Sequence, residues 1–330
     1  MEISLAPMLD VTTPYFRKFI RQYCKETVLF TEMIVCDFII NSKDFMRKLR
    51  FLDEKTVIQL GGSCPEKFVE AIGILKKNKI NNRINLNCGC PSERVKNGCF
   101  GAVLMKNADK VIDIINETEK RTGVLMSIKM RNGVDEFDSF EFFEEFVEKI
   151  KNKSNCREFY VHARKCWLNG LSPSQNRSIP PINYDFAYKI KEKHPDLKIY
   201  LNGQVDDLNL VKNLDGVMIG RQAMKDILIF HKINKILHEK ENGECPDQQR
   251  LFSDIGPTFS VLEKISLVKS YLDSLEGAFS AEKAFPINVV FKGEKFCKKY
   301  KMFLNEIMRE NLEIAEAKIK LDNFFGNILE

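Results

Sequence analysis

Long apolar runs are missing from this sequence. No stretch reaches the roughly 18 consecutive apolar residues that a membrane-spanning helix needs, so no span is expected. No secretory leader is expected either. The N-terminus MEISLAPMLD has Glu2 where such a leader carries positive charge, and it has no long apolar core. No G-x-G-x-x-G follows the first apolar run, so any nicotinamide is expected to bind only transiently. Zinc spacing is absent too. Cys88 and Cys90, with Cys99 nine residues further on, match no usual ligand pattern, and no metal is expected. There is no long low-complexity tract and no repeat beyond a strand–helix unit.

The ten cysteines are scattered, and Cys36, Cys156 and Cys297 lie inside apolar runs. Without a leader they read as reduced thiols in the cytoplasm rather than a disulfide framework. A net charge of +5 permits a polyanionic partner without demanding one. The 330 residues are too many for one average domain and few for three. A (β/α)8 barrel of about 250 residues plus a small appendage fits.

Eight short apolar runs recur: ISLAPM (3–8), VLFTEMI (28–34), TVIQLGG (56–62), RINLNCG (83–89), LMSIKMR (125–131), REFYVHAR (157–164), KIYLNGQ (198–204) and GVMIGR (216–221). Between them lie amphipathic helical patterns such as PEKFVEAIGILKKN and NADKVIDIINETEKRTG. Strands alternating with helices imply parallel βαβ units, hence a closed barrel or a doubly wound sheet. The barrel is favoured because nearly every run ends in a polar or backbone-permissive group. Closure gathers those ends around one mouth. After the polar stretch ENGECPDQQ only helical patterns remain. The expected architecture is an α/β TIM barrel over residues 1–239 and an all-helical domain over 240–330.

Several strand ends suggest chemistry. Gly220-Arg221, with Asn202-Gly203 on the preceding run, suits a phosphate: glycine lets the backbone approach and arginine adds a fork of donors. Lys129 lies within an apolar run. Pointing inward, it needs an anionic or polar partner, which the electron-rich edge of a reduced flavin provides. Gln59 and His162 end nearby strands and could hydrogen-bond such a ring or its phosphate. A plain core histidine is the alternative for His162. For NLNCGCPSERV (85–95) the residues alone leave Cys88 and Cys90 undecided, since period-two alternation puts both on one face of a regular strand.

Together these segments resemble the tRNA-dihydrouridine synthases, FMN-dependent barrels that reduce a uridine in tRNA. APMLDVT, VIQLGG, NCGCPSERVKNGCFGAVLM, IKMRNG, VHAR, LNG and DGVMIGR occur in that family's order. HARKCWLNGLSPSQNRSIPPINYD (162–185) is similar to the bacterial A-type subgroup, which acts at uridines 20 and 20a of the D-loop. The resemblance implies Cys90 as proton donor. It implies FMN contacts at Pro7, Met8, Leu9, Gln59, Lys129, His162, Asn202, Gly203, Gly220 and Arg221, with Gln204 in the same loop. It puts the uracil at Asn87 and orienting contacts to tRNA at Ser174, Arg177, Lys295 and Lys298. NADPH is the implied reductant, and a cytoplasmic monomer is expected.

Two departures stand out. The family usually has NGG where this chain has NGQ, so Gln204 must reach a glycine-like φ or the loop shifts. The C-terminal segment carries Lys292, Lys295, Lys298, Lys299 and Lys301 where the subgroup is rich in arginine, giving point charges instead of forks. Reduction of the C5=C6 bond takes a hydride at C6 and a proton at C5. A thiol titrates near about 8.5 and suits the acid's role at neutral pH. The alternatives are a flavin barrel acting on a free pyrimidine and a non-catalytic tRNA-binding protein.

Overall fold

A computed structural model describes residues 1–329 apart from residues 94, 96, 97, 212, 243–250, 253–255 and 257. Eight strands form a closed parallel barrel: β1 (Glu2–Leu5), β2 (Val28–Val35), β3 (Thr56–Gly61), β4 (Arg83–Cys88), β5 (Met126–Arg131), β6 (Glu158–His162), β7 (Lys198–Asn202) and β8 (Gly216–Ile219). The closing pair is β1 with β8, in register from Glu2 opposite Gly216 to Leu5 opposite Ile219. The expected (β/α)8 barrel is therefore what the chain forms. Several strands stop short of the apolar runs that announced them. The residues beyond, such as Pro7-Met8 and Gly203-Gln204, turn into the loops at the strand C-termini.

The helices between strands have the sequence features that helices require. The first is α1 (Pro14–Tyr23), α2 is Cys36–Asn41, and α3 (Pro65–Lys77) opens on a proline whose missing N–H is no loss there. In α4 (Ala108–Thr122) the Asn107 side chain caps the Lys110 N–H at 3.1 Å, and Gly123 closes the helix at φ +67°. In α5 (Phe140–Lys153) Ser139 caps Phe142, and Phe143, Phe146, Val147 and Ile150 make one buried stripe. Next comes α6 (Asp185–Lys193).

The barrel interior is filled rather than hollow. Phe30, Val57, Tyr160, Tyr200 and Met218 form a buried cluster, with Tyr160 and Tyr200 stacked at 4.3 Å. At the strand N-termini Arg83 bridges Glu2 at 3.2 Å and Glu158 at 2.7 Å, closing that end with charge. The strand C-termini remain for chemistry.

Packing divides the described residues into two units: Met1–Asp10 with Val28–Gly220, and Val11–Thr27 with Arg221–Glu330. The second unit contains α1, α7 (Arg221–Lys225), α8 (Ile229–Glu241), α9 (Val261–Asp273), α10 (Ala281–Ala284), α11 (Cys297–Arg309) and α12 (Ile314–Leu329). Ser260 and Glu263 form a capping box on α9. Phe291, Tyr300 and Phe325 form its aromatic centre, the first two rings 4.7 Å apart and Phe291 to Phe325 5.5 Å. Most of the polar stretch expected to link the domains lies outside the described residues. No helix among the described residues is long and apolar enough to cross a membrane.

Candidate functional site

Period-two alternation sends Gln59 of β3, Asn85 and Asn87 of β4, and Ser127 and Lys129 of β5 into the barrel. There they form one hydrogen-bonded file. Asn87 Nδ2 donates to Gln59 Oε1 at 2.7 Å, Gln59 Nε2 to Asn85 Oδ1 at 2.8 Å, and Asn85 Nδ2 to Ser127 Oγ at 2.9 Å. Each buried amide thus fixes the orientation of the next.

The file ends on the cysteine loop. Asn87 Oδ1 accepts the backbone N–H of Gly89 at 3.2 Å and that of Cys90 at 3.0 Å. This Asx-type turn bends the chain immediately after β4. It also separates the two thiols. Cys88, the last strand residue, is 0% exposed, and burial beside Cys156 pushes its thiol far above the ordinary range. Cys90 lies beyond the bend, half-buried, with its Sγ 3.5 Å from Ser92 Oγ. The regular alternation that would have put both on one face therefore ends at Cys88. A second clasp comes from the Gly101 turn, where Ala102 N donates to Cys90 O at 2.9 Å. Gly101 has φ +66°, and a Cβ there would come within 2.6 Å of that carbonyl oxygen.

Lys129 Nζ donates to Asn202 Oδ1 at 3.1 Å, and Asn202 Nδ2 donates to the Met218 carbonyl at 2.7 Å. Loss of water lowers the Lys129 ammonium to about 7, and the neighbouring Arg131 adds to the fall. Cys90 acts in the opposite sense. His162 is buried at the end of β6, against Gly203. Gly203 has φ +118°, and a Cβ there would meet His162 Cδ2 at 2.8 Å. Gln204 adopts φ +53°, the left-handed conformation that a glycine would take. Its Oε1 accepts from Arg164 Nη2 at 2.9 Å, so the departure from NGG leaves a glycine-like turn.

Pro7 and Met8 are half-buried and Leu9 exposed on the loop after β1, whose next residue, Asp10, donates its N–H to the buried Glu32 at 2.8 Å. Gly220 ends the first unit, and Arg221 follows it as the exposed first residue of α7 in the second. A Cβ at Gly220 would meet Ala6 and Met8 only at ordinary contact distance. The protein's own packing therefore does not require a glycine there. Within the first unit, Lys129, Gln59, Asn202 and His162 gather at one end of the barrel, and their donors and buried cation fit the chemistry of a flavin mononucleotide.

Ser174 and Arg177 are exposed on the loop after β6. Lys295 and Lys298 are exposed in the second unit, as are Lys292 and Lys299. Glu294, the one acid among them, is already bound to Lys264 at 2.6 Å.

Three further residues shape the site, and the sequence assigned a role to none of them. Arg131 is buried, and its Nε donates to Gly89 O at 2.9 Å. Asn176 is fully buried and organises the loop after β6. Arg164 holds the Pro180 carbonyl as well as Gln204. Arg131 and Arg164 had a signal, as polar residues closing the fifth and sixth runs, whereas Asn176 had none.

The family model for dihydrouridine synthase matches residues 4–326. A tRNA-dihydrouridine(20/20a) synthase of Yersinia pestis is 35% identical over 309 residues, covering 92% of this chain and 85% of that protein. Proteins of the same name from Pasteurella multocida and Vibrio parahaemolyticus are 39% and 40% identical, covering 74% and 71% of this chain and 74% and 73% of theirs.

Proposed function

Because the chain belongs to the dihydrouridine synthase family, we propose that it reduces a D-loop uridine of tRNA, at position 20 or 20a, to dihydrouridine. FMN is the bound carrier and NADPH the reductant. The observation that carries the reading is the placement of Cys90, turned out of β4 by Asn87 and held near Lys129 at the strand C-termini.

Adding hydrogen across C5=C6 takes a hydride at C6 and a proton at C5. FMN, when bound, supplies the hydride. Pro7, Met8, Leu9, Gln59, Lys129, His162, Asn202, Gly203, Gln204, Gly220 and Arg221 are the residues that would hold it. Lys129 offers a cation to the electron-rich edge of the ring, and binding there returns its ammonium toward the charged form. Cys90 delivers the proton to C5. Its sulfur is left anionic, with Lys129 and Arg131 as cationic neighbours. Asn87 orients the uracil with the donor hydrogen not given to Gln59.

The base reaches this pocket only by leaving its stack. Ser174 and Arg177 orient the RNA beside the barrel. Lys295 and Lys298 bind phosphates with the salt dependence typical of such contacts. The protein works as a cytoplasmic monomer without a metal, residues 1–239 carrying the chemistry and 240–330 gripping tRNA.

The test is to incubate the full chain with FMN, NADPH and unmodified tRNA and map dihydrouridine by mass spectrometry. The expected result is a product at one D-loop position, lost in Cys90→Ala. Free uridine reduced as fast as tRNA would make the protein a free-pyrimidine dehydrogenase instead. Protein that binds tRNA but takes up no flavin and forms no product would be non-catalytic.

A further inference from the structure

Arg131 is the last residue of β5, and its guanidinium lies between two loops. On one side Nε donates to the carbonyl of Gly89, the residue before Cys90, at 2.9 Å. On the other, Nη1 donates to the carbonyls of Lys165 and Asn176, each at 3.0 Å, with that of Arg164 at 3.5 Å. All belong to the loop after β6, and no carboxylate among the described residues meets the cation. Burial pulls its pKa down, as expected for a charge balanced only by carbonyl dipoles. Such a charge is a poor source of stability. What it provides is reach: a planar fork spans carbonyls on two loops, which a lysine cannot do.

The loop it grips is tied together by its own hydrogen bonds. Asn176 Oδ1 accepts from Trp167 N at 2.8 Å, and Asn176 Nδ2 donates to Trp167 O at 2.8 Å and Leu171 O at 3.1 Å. Asp135 adds its own N–H to Cys166 O at 2.7 Å and accepts the Leu168 N–H at 2.7 Å, while Lys106 holds its other oxygen at 2.7 Å. The exposed side chains of Ser174 and Arg177 stand on this braced segment.

We propose that Arg131 is a positioning residue that couples the loop carrying Ser174 and Arg177 to the loop carrying Cys90, so that RNA seated on the first sets the acid on the second. The proposal rests on the reading of Cys90 as the acid. Arg131 acts here through the backbone carbonyls that its Nε and Nη1 hold.

Hydrogen exchange resolved to peptides, measured on the full chain without RNA, tests the coupling apart from activity. In Arg131→Lys, peptides covering Gly89–Cys90 and 165–178 exchange about 10-fold faster, while α3 and α5 keep their protection. Asn176→Ala loosens only the loop after β6 directly, yet it too speeds exchange at Gly89–Cys90. The double variant adds little there, as two changes on one path should. Under turnover Arg131→Lys lowers kcat by about 10-fold or more with little change in KM for tRNA. The coupling is overturned if Asn176→Ala speeds exchange only in 165–178, or if its effect and that of Arg131→Lys multiply at Gly89–Cys90. It is also overturned if Arg131→Lys loses protection throughout the barrel. Should Arg131→Lys fail to fold, Asn176→Ala alone decides. If the parent protein forms no dihydrouridine, the functional reading falls while the exchange result still stands.

Discussion

Asn87 Oδ1 accepts the backbone N–H of Cys90 at 3.0 Å, and this bond, with that from Gly89 at 3.2 Å, turns the chain out of β4. The same amide is held from behind by Gln59. The position of the Cys90 thiol is thus set by an amide that the barrel interior orients.

Replacing Asn87 by alanine leaves the N–H groups of Gly89 and Cys90 and the Gln59 carbonyl without their partner. The expected loss is about 1–3 kcal/mol of stability. Turnover should fall by about 10-fold or more, since a small displacement of a reacting group is enough for that. Urea denaturation and steady-state kinetics on the same preparation separate the two effects. An Asn87→Ala protein of reduced stability but full kcat contradicts the role.

The two thiols should behave oppositely. Cys90→Ala loses roughly 100-fold or more in kcat, the usual weight of a general acid, and folds normally. Cys88→Ala keeps its turnover and loses roughly 1 kcal/mol from the small hole left in a packed interior. Single-turnover assays with unmodified tRNA, alongside thermal melts, read both.

Lys129 gives a pH signature in flavin-free protein. Its folded pKa, about 7, lies below the ordinary lysine value, so between the two the unfolded chain holds more protons. Stability from this group therefore rises with pH across that window, and the penalty for a charged, buried ammonium is complete below it. Lys129→Met should be more stable than the parent at pH 6, by a margin that shrinks toward pH 10. Denaturation of both proteins at a series of pH values checks the sign. Flavin affinity, read by quenching of flavin fluorescence, should drop in the same variant.

Gln204 already holds the conformation that glycine would take. Gln204→Gly removes an unfavourable φ worth about 1–2 kcal/mol and gives up the bond from Arg164, so stability should change little. Flavin affinity should stay within about threefold, or roughly 0.7 kcal/mol. Gln204→Val, which resists positive φ, should weaken both. A large gain in affinity for the glycine variant would mean that the loop is displaced as it stands.

Salt reports on the second unit. Lys292, Lys295, Lys298 and Lys299 are exposed, and the one acid among them is bound elsewhere. Each of these lysines that touches a tRNA phosphate should lower the slope of log affinity against log salt by about 0.7–0.9 on replacement with alanine. Filter binding at several salt concentrations measures it. An unchanged slope in the fourfold variant would show that this face stays in solvent.

Much of this was decided by the order of residues. Eight β-rich runs separated by amphipathic helices already implied the barrel. The polar residues closing those runs already marked its mouth, because strand C-termini meet there once the sheet closes. Lys129 within an apolar run and the Gly-Cys-Pro of residues 89–91 were visible for the same reason: period and local chemistry are properties of neighbours in the chain. Three things were not. Alternation could not separate Cys88 from Cys90, because the strand ends at Cys88 and the side-chain amide of Asn87 makes the bend. A chain without coordinates could not tell whether Gln204 would adopt a positive φ, since Arg164 on another loop holds it there. Arg131 was legible only as a polar strand end, yet its guanidinium joins carbonyls more than 40 residues away on either side in sequence. Those partners meet only when β4, β5 and β6 lie side by side, so tertiary closure alone made the clasp.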